Sequence, residues 1–237
     1  MELSGHREYS EQWLKESSHF ESAGIYEKLA VQIPKGKVLE IGCGAGFGTF
    51  HLAQKCEVLS IDNNVQLINL ARSYLDGRVE GYRIHQCDFF SMSDDDKAIV
   101  RDFVPNTIVA WFLGGSGTDM SARTSGEPNP LEKGKLYREK IEDAVTSNDL
   151  LLNSVDLINF ANRGRRISHI PDEQVQKSIK DDYDTHVFEN VGFEVTDVGL
   201  FEWPQYGSTF IYGAAENPNL AKGTPIPTII SILARRI

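Results

Sequence analysis

The chain is short of basic charge: 24 Lys and Arg stand against 34 Asp and Glu, a formal charge of −10 over 237 residues. A field of that sign repels polyanions, so nucleic acid is a disfavoured partner unless a local patch offsets it. The candidates for such a patch are Arg163, Arg165 and Arg166, with Arg235 and Arg236, split between two short segments that read as surface charge. Cysteine is scarce as well. Cys43, Cys56 and Cys87 form no CxxC pair and have no metal-ligand spacing to the six scattered histidines, so no bound metal is expected and free thiols in a reducing compartment are. There is no apolar signal core in the opening MELSGHREYSEQW and no run of about 18 apolar residues anywhere, which predicts a soluble, cytoplasmic protein with no membrane partner.

What is present is an ordinary globular composition, 41% hydrophobic and 24% charged. It excludes disorder, collagen-like sequence and a disulfide scaffold. Tyr26, Leu29, Ala30 and Ile33 give a helical face, and Tyr9, Trp13 and Phe20 the face of a looser helix before it. Pro34-Lys35-Gly36 stops that region. Residues 1–35 are accordingly expected to form an N-terminal helical cap, and 36–237 the main domain.

Within 36–237, strands and helices alternate. Val38–Ile41, Val58–Ile61, Tyr82–Gln86, Thr107–Leu113 and Leu157–Ala161 read as strands. Helices are expected over Thr49–Lys55, from Val65 after an Asn63 or Asn64 cap, from Ser93 and Asp94–Asp96, over Leu136–Leu152 and over Glu173–Glu189. Phe193–Phe201 and Ser208–Ala214 read as two last strands joined through Trp203–Gly207. Such alternation predicts a doubly wound α/β fold with a mostly parallel seven-stranded sheet, helices on both faces and a reversed C-terminal hairpin strand. Residues 116–134, rich in Gly, Ser, Thr and Pro, read as a long loop, either a substrate lid or a surface insertion. The tail after Asn217, including Pro225–Leu233, packs on the sheet or on a second subunit, and a homodimer is compatible with it.

The polar and glycine-rich positions fall at the C-terminal ends of the predicted strands, where open α/β sheets bind ligands. Glu40-Ile41-Gly42-Cys43-Gly44-Ala45-Gly46 lets backbone approach a ligand closely. Asp62 can accept from two ribose hydroxyls, Asp88 from an exocyclic amine, and Phe89 can wall a flat base. A dinucleotide fingerprint fails, because the third glycine of G-x-G-x-x-G falls on Phe47 in one frame and Thr49 in the other.

The pattern Glu40-x-Gly42-x-Gly44-x-Gly46, with Asp62 and Asp88-Phe89 after the next two strands, resembles class I S-adenosylmethionine-dependent methyltransferases. The resemblance spans roughly residues 25–214, its specific motifs only 38–90. It implies S-adenosyl-L-methionine as cofactor, with Glu40 near the methionine amino group and Gly42, Cys43, Gly44 and Gly46 under methionine and ribose. Asp62 and Asn63 would serve the ribose, and Asp88 and Phe89 the adenine. No Asn-Pro-Pro-Tyr-like sequence follows the fourth strand, which carries Trp111-Phe112-Leu113-Gly114-Gly115, and no Pro-Cys nucleophile exists. The implied reaction is methyl transfer to an O or N atom of a small molecule. A non-catalytic adenosylmethionine-binding subunit and, further off, an NAD(P)-dependent oxidoreductase are the alternatives. His19 and His169 are the candidate general bases, although each also reads as an ordinary surface histidine. Tyr9, Trp13 and Trp111 are candidate substrate contacts that equally suit packing.

Overall fold

The computed structural model describes residues 5–203, 205, 206, 208 and 223–237. Two helices lead, α1 (His6–Ser22) and α2 (Ile25–Gln32). There follow β1 (Lys37–Ile41), α3 (Phe47–Ala53), β2 (Glu57–Asp62), α4 (Val65–Leu75), β3 (Tyr82–Gln86), α5 (Asp94–Phe103) and β4 (Thr107–Trp111). The second half holds α6 (Gly117–Arg123), α7 (Pro130–Val145), β5 (Leu157–Ile167), α8 (Asp172–Tyr183), β6 (Phe193–Glu202) and β7 (Pro225–Arg236). The strands make one sheet in the order β3-β2-β1-β4-β5-β7-β6. All pairings from β3 to β5 are parallel, and β7 runs antiparallel between β5 and β6. The expected seven-stranded, doubly wound sheet with a reversed strand is the observed one.

Both faces of the sheet are covered, which is why its central strands carry apolar side chains on successive positions. Leu39, Ile41, Ile108, Ala110, Ile158 and Phe160 face the layer of α5, α7 and α8, among Val100, Phe103, Ile141 and Tyr183. Val38, Val58, Val109, Trp111 and Ala161 face the other way, onto Trp13, Phe20, Ile25, Leu29 and Leu52 of α1, α2 and α3. The two N-terminal helices thus share a core with the sheet. Among the described residues, no helix is long and apolar enough to cross a membrane.

Four expectations are corrected. The last strand is not Ser208–Ala214: Ser208 lies outside any strand, the rest of that stretch is outside the described residues, and β7 is formed by Pro225–Arg236. Pairing with β7 also stretches β5 from the predicted Ala161 to Ile167, since the two match over eleven residues. Residues 116–134 are not one open loop. Ser116 accepts a hydrogen bond from the Asp119 amide at 3.2 Å and caps α6, while Pro130 opens α7 six residues before the predicted helix start, at the position where a missing N–H is harmless. Strand β4 stops at Trp111, before Leu113, because Phe112 turns to a φ of +57°.

Candidate functional site

The glycine loop after β1 owes its shape to positions where a side chain does not fit. Gly44 has a φ of +51°, and a Cβ there would lie 2.6 Å from the indole Nε1 of Trp13. Gly46, at +90°, caps α3, and its Cβ would meet the Ala71 backbone of α4 at 3.0 Å. The two glycines therefore do different work. Gly44 exposes backbone to the space beneath α1, whereas Gly46 lets α3 and α4 approach.

Asp62, at the end of β2, ties the loop to the next helix. Its carboxylate accepts from the Gly44 amide at 3.1 Å and the Asn64 amide at 2.8 Å. Burial raises its pKa, and those two N–H donors pull it back down. A carboxylate offers about four acceptor positions; two amides and the Cys43 thiol at 3.7 Å use three, which leaves room for a ligand hydroxyl. Asn64 caps α4 by accepting from the Gln66 and Leu67 amides, and also from the Ser10 hydroxyl of α1 at 3.1 Å. Helix α1 is thereby docked over the loop.

A cavity opens at these strand ends. Its walls include Gly42, Gly44, Asp62, Asn63 and Phe89 on one side, and Tyr9, Trp13, Trp111, Phe112, Asp119 and Tyr137 on the other. Phe112 is one of two non-glycine residues with positive φ among those described. Such strain concentrates at functional sites, and here it carries the chain from β4 across the cavity. The first turn of α6 then presents Asp119, which accepts from the Tyr137 hydroxyl at 2.5 Å and from Arg123 Nε at 2.9 Å. Burial, with the Asp119 contact, pushes the Tyr137 phenol well up, so it stays protonated and donates. Arg123 also reaches Asp88 at 2.8 Å and lies 4.1 Å over the Phe90 ring. One guanidinium serves two carboxylates, and a negative charge remains at this end.

The predicted site residues divide. Gly42, Gly44, Asp62, Asn63, Phe89, Tyr9, Trp13 and Trp111 converge on the cavity. Trp111 is also anchored in the sheet, donating to Asn159 at 2.6 Å. Glu40, Cys43, Gly46 and Asp88 stand behind the wall. Glu40 is 3% exposed and accepts from Thr49 at 2.5 Å and from Ser60, with its pKa raised to about 7 by burial. Cys43 lies buried 3.7 Å from Asp62, and Asp88 is engaged by Arg123. His19 rests against Trp203, with ring centroids 6.2 Å apart, and His169 is exposed near Gly223; neither ring lines the cavity. Residues that the sequence reading passed over are His6, Phe90, Ser116, Asp119 and Tyr137. Only Ser116-x-x-Asp119, a helix-start spacing, carried a sequence signal for them.

The structure also brings together His85, Cys87 and Asp96, the one group of three potential metal-ligating side chains among the described residues. His85 pairs with Asp96 at 2.6 Å, and the other Asp96 oxygen accepts from the Ser93 amide and hydroxyl in the capping box of α5. A helix cap with a histidine–carboxylate hydrogen bond accounts for that contact.

Residues 34–108 match the family model described as a methyltransferase domain. None of the curated proteins has a sequence that matches the chain. Among solved structures, the N-methyltransferase NodS from Bradyrhizobium japonicum, in complex with S-adenosyl-L-homocysteine, aligns over 98% of this chain and 99% of its own at 12% identity, with a TM-score of 0.56. Coclaurine N-methyltransferase bound to N-methylheliamine and S-adenosylhomocysteine aligns over 93% and 71% at 12% identity and a TM-score of 0.49. A TehB-like methyltransferase from Corynebacterium glutamicum aligns over 97% and 98% at 16% identity and 0.48. The first likeness speaks to the fold alone, and the other two are too distant to weigh.

Proposed function

We propose that this chain is a class I S-adenosylmethionine-dependent methyltransferase and that it methylates an O or N atom of a small molecule, a reading supported by the methyltransferase-domain match over residues 34–108 and by the fold. The observation that carries the reading is the single cavity in which Gly42, Gly44, Asp62 and Phe89 meet Tyr9, Asp119 and Tyr137. One half suits a nucleoside and the other a polar acceptor.

S-adenosylmethionine brings an already activated methyl group, so the protein has to position the acceptor and exclude water. Asp62 and Asn63 would hold the ribose hydroxyls, Phe89 would wall the base, and the Gly44 backbone would lie along the ligand. Glu40 would support the loop from below through its hydrogen bonds with Thr49 and Ser60. On the acceptor side, Asp119 can accept from a donor group of the ligand, and so can the Tyr137 oxygen, whose own proton goes to Asp119. His6 and Asp119 are the cavity-lining side chains placed to take a proton from the acceptor, a role for which His19 and His169 are less well positioned. Trp13 packs against Gly44, so α1 would act as a cover that shifts to admit ligand.

The net charge of −10 favours a small acceptor over a polynucleotide, and three unpaired thiols suit a reducing, cytoplasmic setting. The test is incubation with cofactor carrying a labelled methyl group and a metabolite extract. Transfer of label to a small molecule, read by mass spectrometry, supports the proposal. Label found only on nucleic acid refutes it.

A further inference from the structure

The cavity is rich in oxygen acceptors and aromatic faces and poor in positive charge. Its carboxylates are Asp62 and Asp119, and, His6 apart, no basic side chain among the described residues lines it. Arg123 stands behind the wall, where it meets Asp88 at 2.8 Å and Asp119 at 2.9 Å and lies over the Phe90 ring. Arg163 lies over Trp13, outside the lining. One guanidinium between Asp88 and Asp119 leaves a negative charge over at the acceptor end.

Asp119 is also open to a ligand. Its Oδ1 accepts from Arg123 and its Oδ2 from Tyr137, which leaves about two of its four acceptor positions. A Cβ at Gly115 would lie 2.6 Å from Asp119 Oδ2 and 2.5 Å from the Tyr137 hydroxyl, so the missing side chain leaves both oxygens uncovered. Tyr9 lines the same space, its hydroxyl 3.5 Å from where a Gly114 Cβ would lie, and that hydroxyl has no hydrogen-bond partner among the described residues. Burial raises both phenol pKa values, and Asp119 adds to that of Tyr9 as Tyr9 does to that of Tyr137, so the three groups lie within electrostatic reach of one another.

We propose that the methyl acceptor is an amine, bound as its ammonium ion by Asp119 and the Tyr137 and Tyr9 oxygens. The inference rests on the proposed methyl transfer and narrows its acceptor atom to nitrogen. A primary ammonium has three N–H donors for these three acceptors, and its charge meets the one that Arg123 leaves over. A neutral alcohol would leave that charge unmatched, and a carboxylate would be repelled by it. For transfer, the ammonium passes one proton to Asp119, and the freed nitrogen pair attacks the methyl carbon. The carbon–sulfur bond breaks with its electrons to sulfur, giving a neutral thioether and an N-methylated ammonium, and Asp119 returns its proton to water.

Calorimetry on the full chain saturated with S-adenosylhomocysteine tests this with benzylamine, benzyl alcohol and benzoate at pH 7. Benzylamine should bind about tenfold tighter than the alcohol, the step expected for charged hydrogen bonds, and benzoate should bind weakest. Asp119→Asn should abolish the preference. Gly115→Ala should do the same, since it sets a methyl against both oxygens where the backbone is not left-handed. Equal binding of amine and alcohol, tighter binding of benzoate, no benzylamine binding at millimolar concentration, or an undiminished preference in folded Asp119→Asn overturns the inference. Labelled-methyl cofactor and a metabolite extract should put the label on an amine nitrogen, read by tandem mass spectrometry. Label confined to oxygen, carbon or sulfur overturns it too. Failure of S-adenosylhomocysteine to bind counts instead against the methyl-transfer reading, and the same probes on the unliganded protein still read the amine preference.

Discussion

Glu40 is expected to make the protein less stable as pH rises, and replacing it should remove that effect. Its carboxyl is 3% exposed, and burial lifts its pKa from an ordinary 4.5 to about 7, against the opposing pull of the Ser60 and Thr49 hydroxyls. In the unfolded chain the group titrates near its ordinary value. Between pH 4.5 and 7 the folded state therefore holds the extra proton, so stability falls as pH rises through that window and levels off above it. At 1.36 kcal/mol per pKa unit the span amounts to about 3 kcal/mol. Glu40→Gln keeps the volume and an oxygen for Thr49 and Ser60 but does not ionise. Urea unfolding of both proteins at intervals from pH 4 to 8 gives a difference curve in which other groups largely cancel. The variant should gain on the parent by about 3 kcal/mol across the window. A flat difference curve would mean that Glu40 is not the buried, proton-holding group described.

Other consequences are open to direct measurement. Gly46→Ala sets a Cβ 3.0 Å from the Ala71 backbone at a φ of +90°, so it should lower stability by about 1–3 kcal/mol in thermal or urea unfolding; an unchanged midpoint would contradict the close α3–α4 approach. Asn159 is buried and holds Trp111, Ser231 and the Ile232 carbonyl together, so Asn159→Ala should lower stability by about 2–3 kcal/mol. A change below about 0.5 kcal/mol would show the network to be dispensable. All three cysteines are buried and burial raises each thiol pKa, that of Cys87 to about 12. A disulfide-exchange reagent at pH 8 should thus react slowly with the native protein and fully only after unfolding. A thiol reacting at the rate of free cysteine would refute that.

The sheet could be read in the sequence because buried parallel strands need apolar runs between helical segments, as Val38–Ile41 and Thr107–Trp111 have. Strand β7 escaped because Pro225 and Pro227 stand in it, and proline argues against an internal strand. Both lie at its opening end, beyond which the eight residues Thr228–Arg235 lie between paired strands on both sides. The half of the cavity proposed for the cofactor could be assembled from sequence because its glycine and acid positions at strand ends lie close in sequence. Strand geometry settled Glu40, however: it points to the same face as Val38, under α3, so it lies behind the cavity wall. The acceptor half depends on pairings no local pattern records. Arg123 meets Asp88 across 35 residues and Tyr137 meets Asp119 across 18, in a stretch whose Gly, Ser and Pro content hides its helices.

The central claim is that the cavity between the glycine loop and Asp62 holds an adenosylmethionine-type ligand. Calorimetric titration with S-adenosylhomocysteine tests it most directly, on the parent chain and on an Asp62→Ala variant shown by circular dichroism to be folded. Saturable one-to-one binding to the parent, lost or reduced by at least about tenfold in the variant, is the predicted result. Absence of binding to the parent at millimolar ligand, or equal affinity in the folded variant, would contradict it.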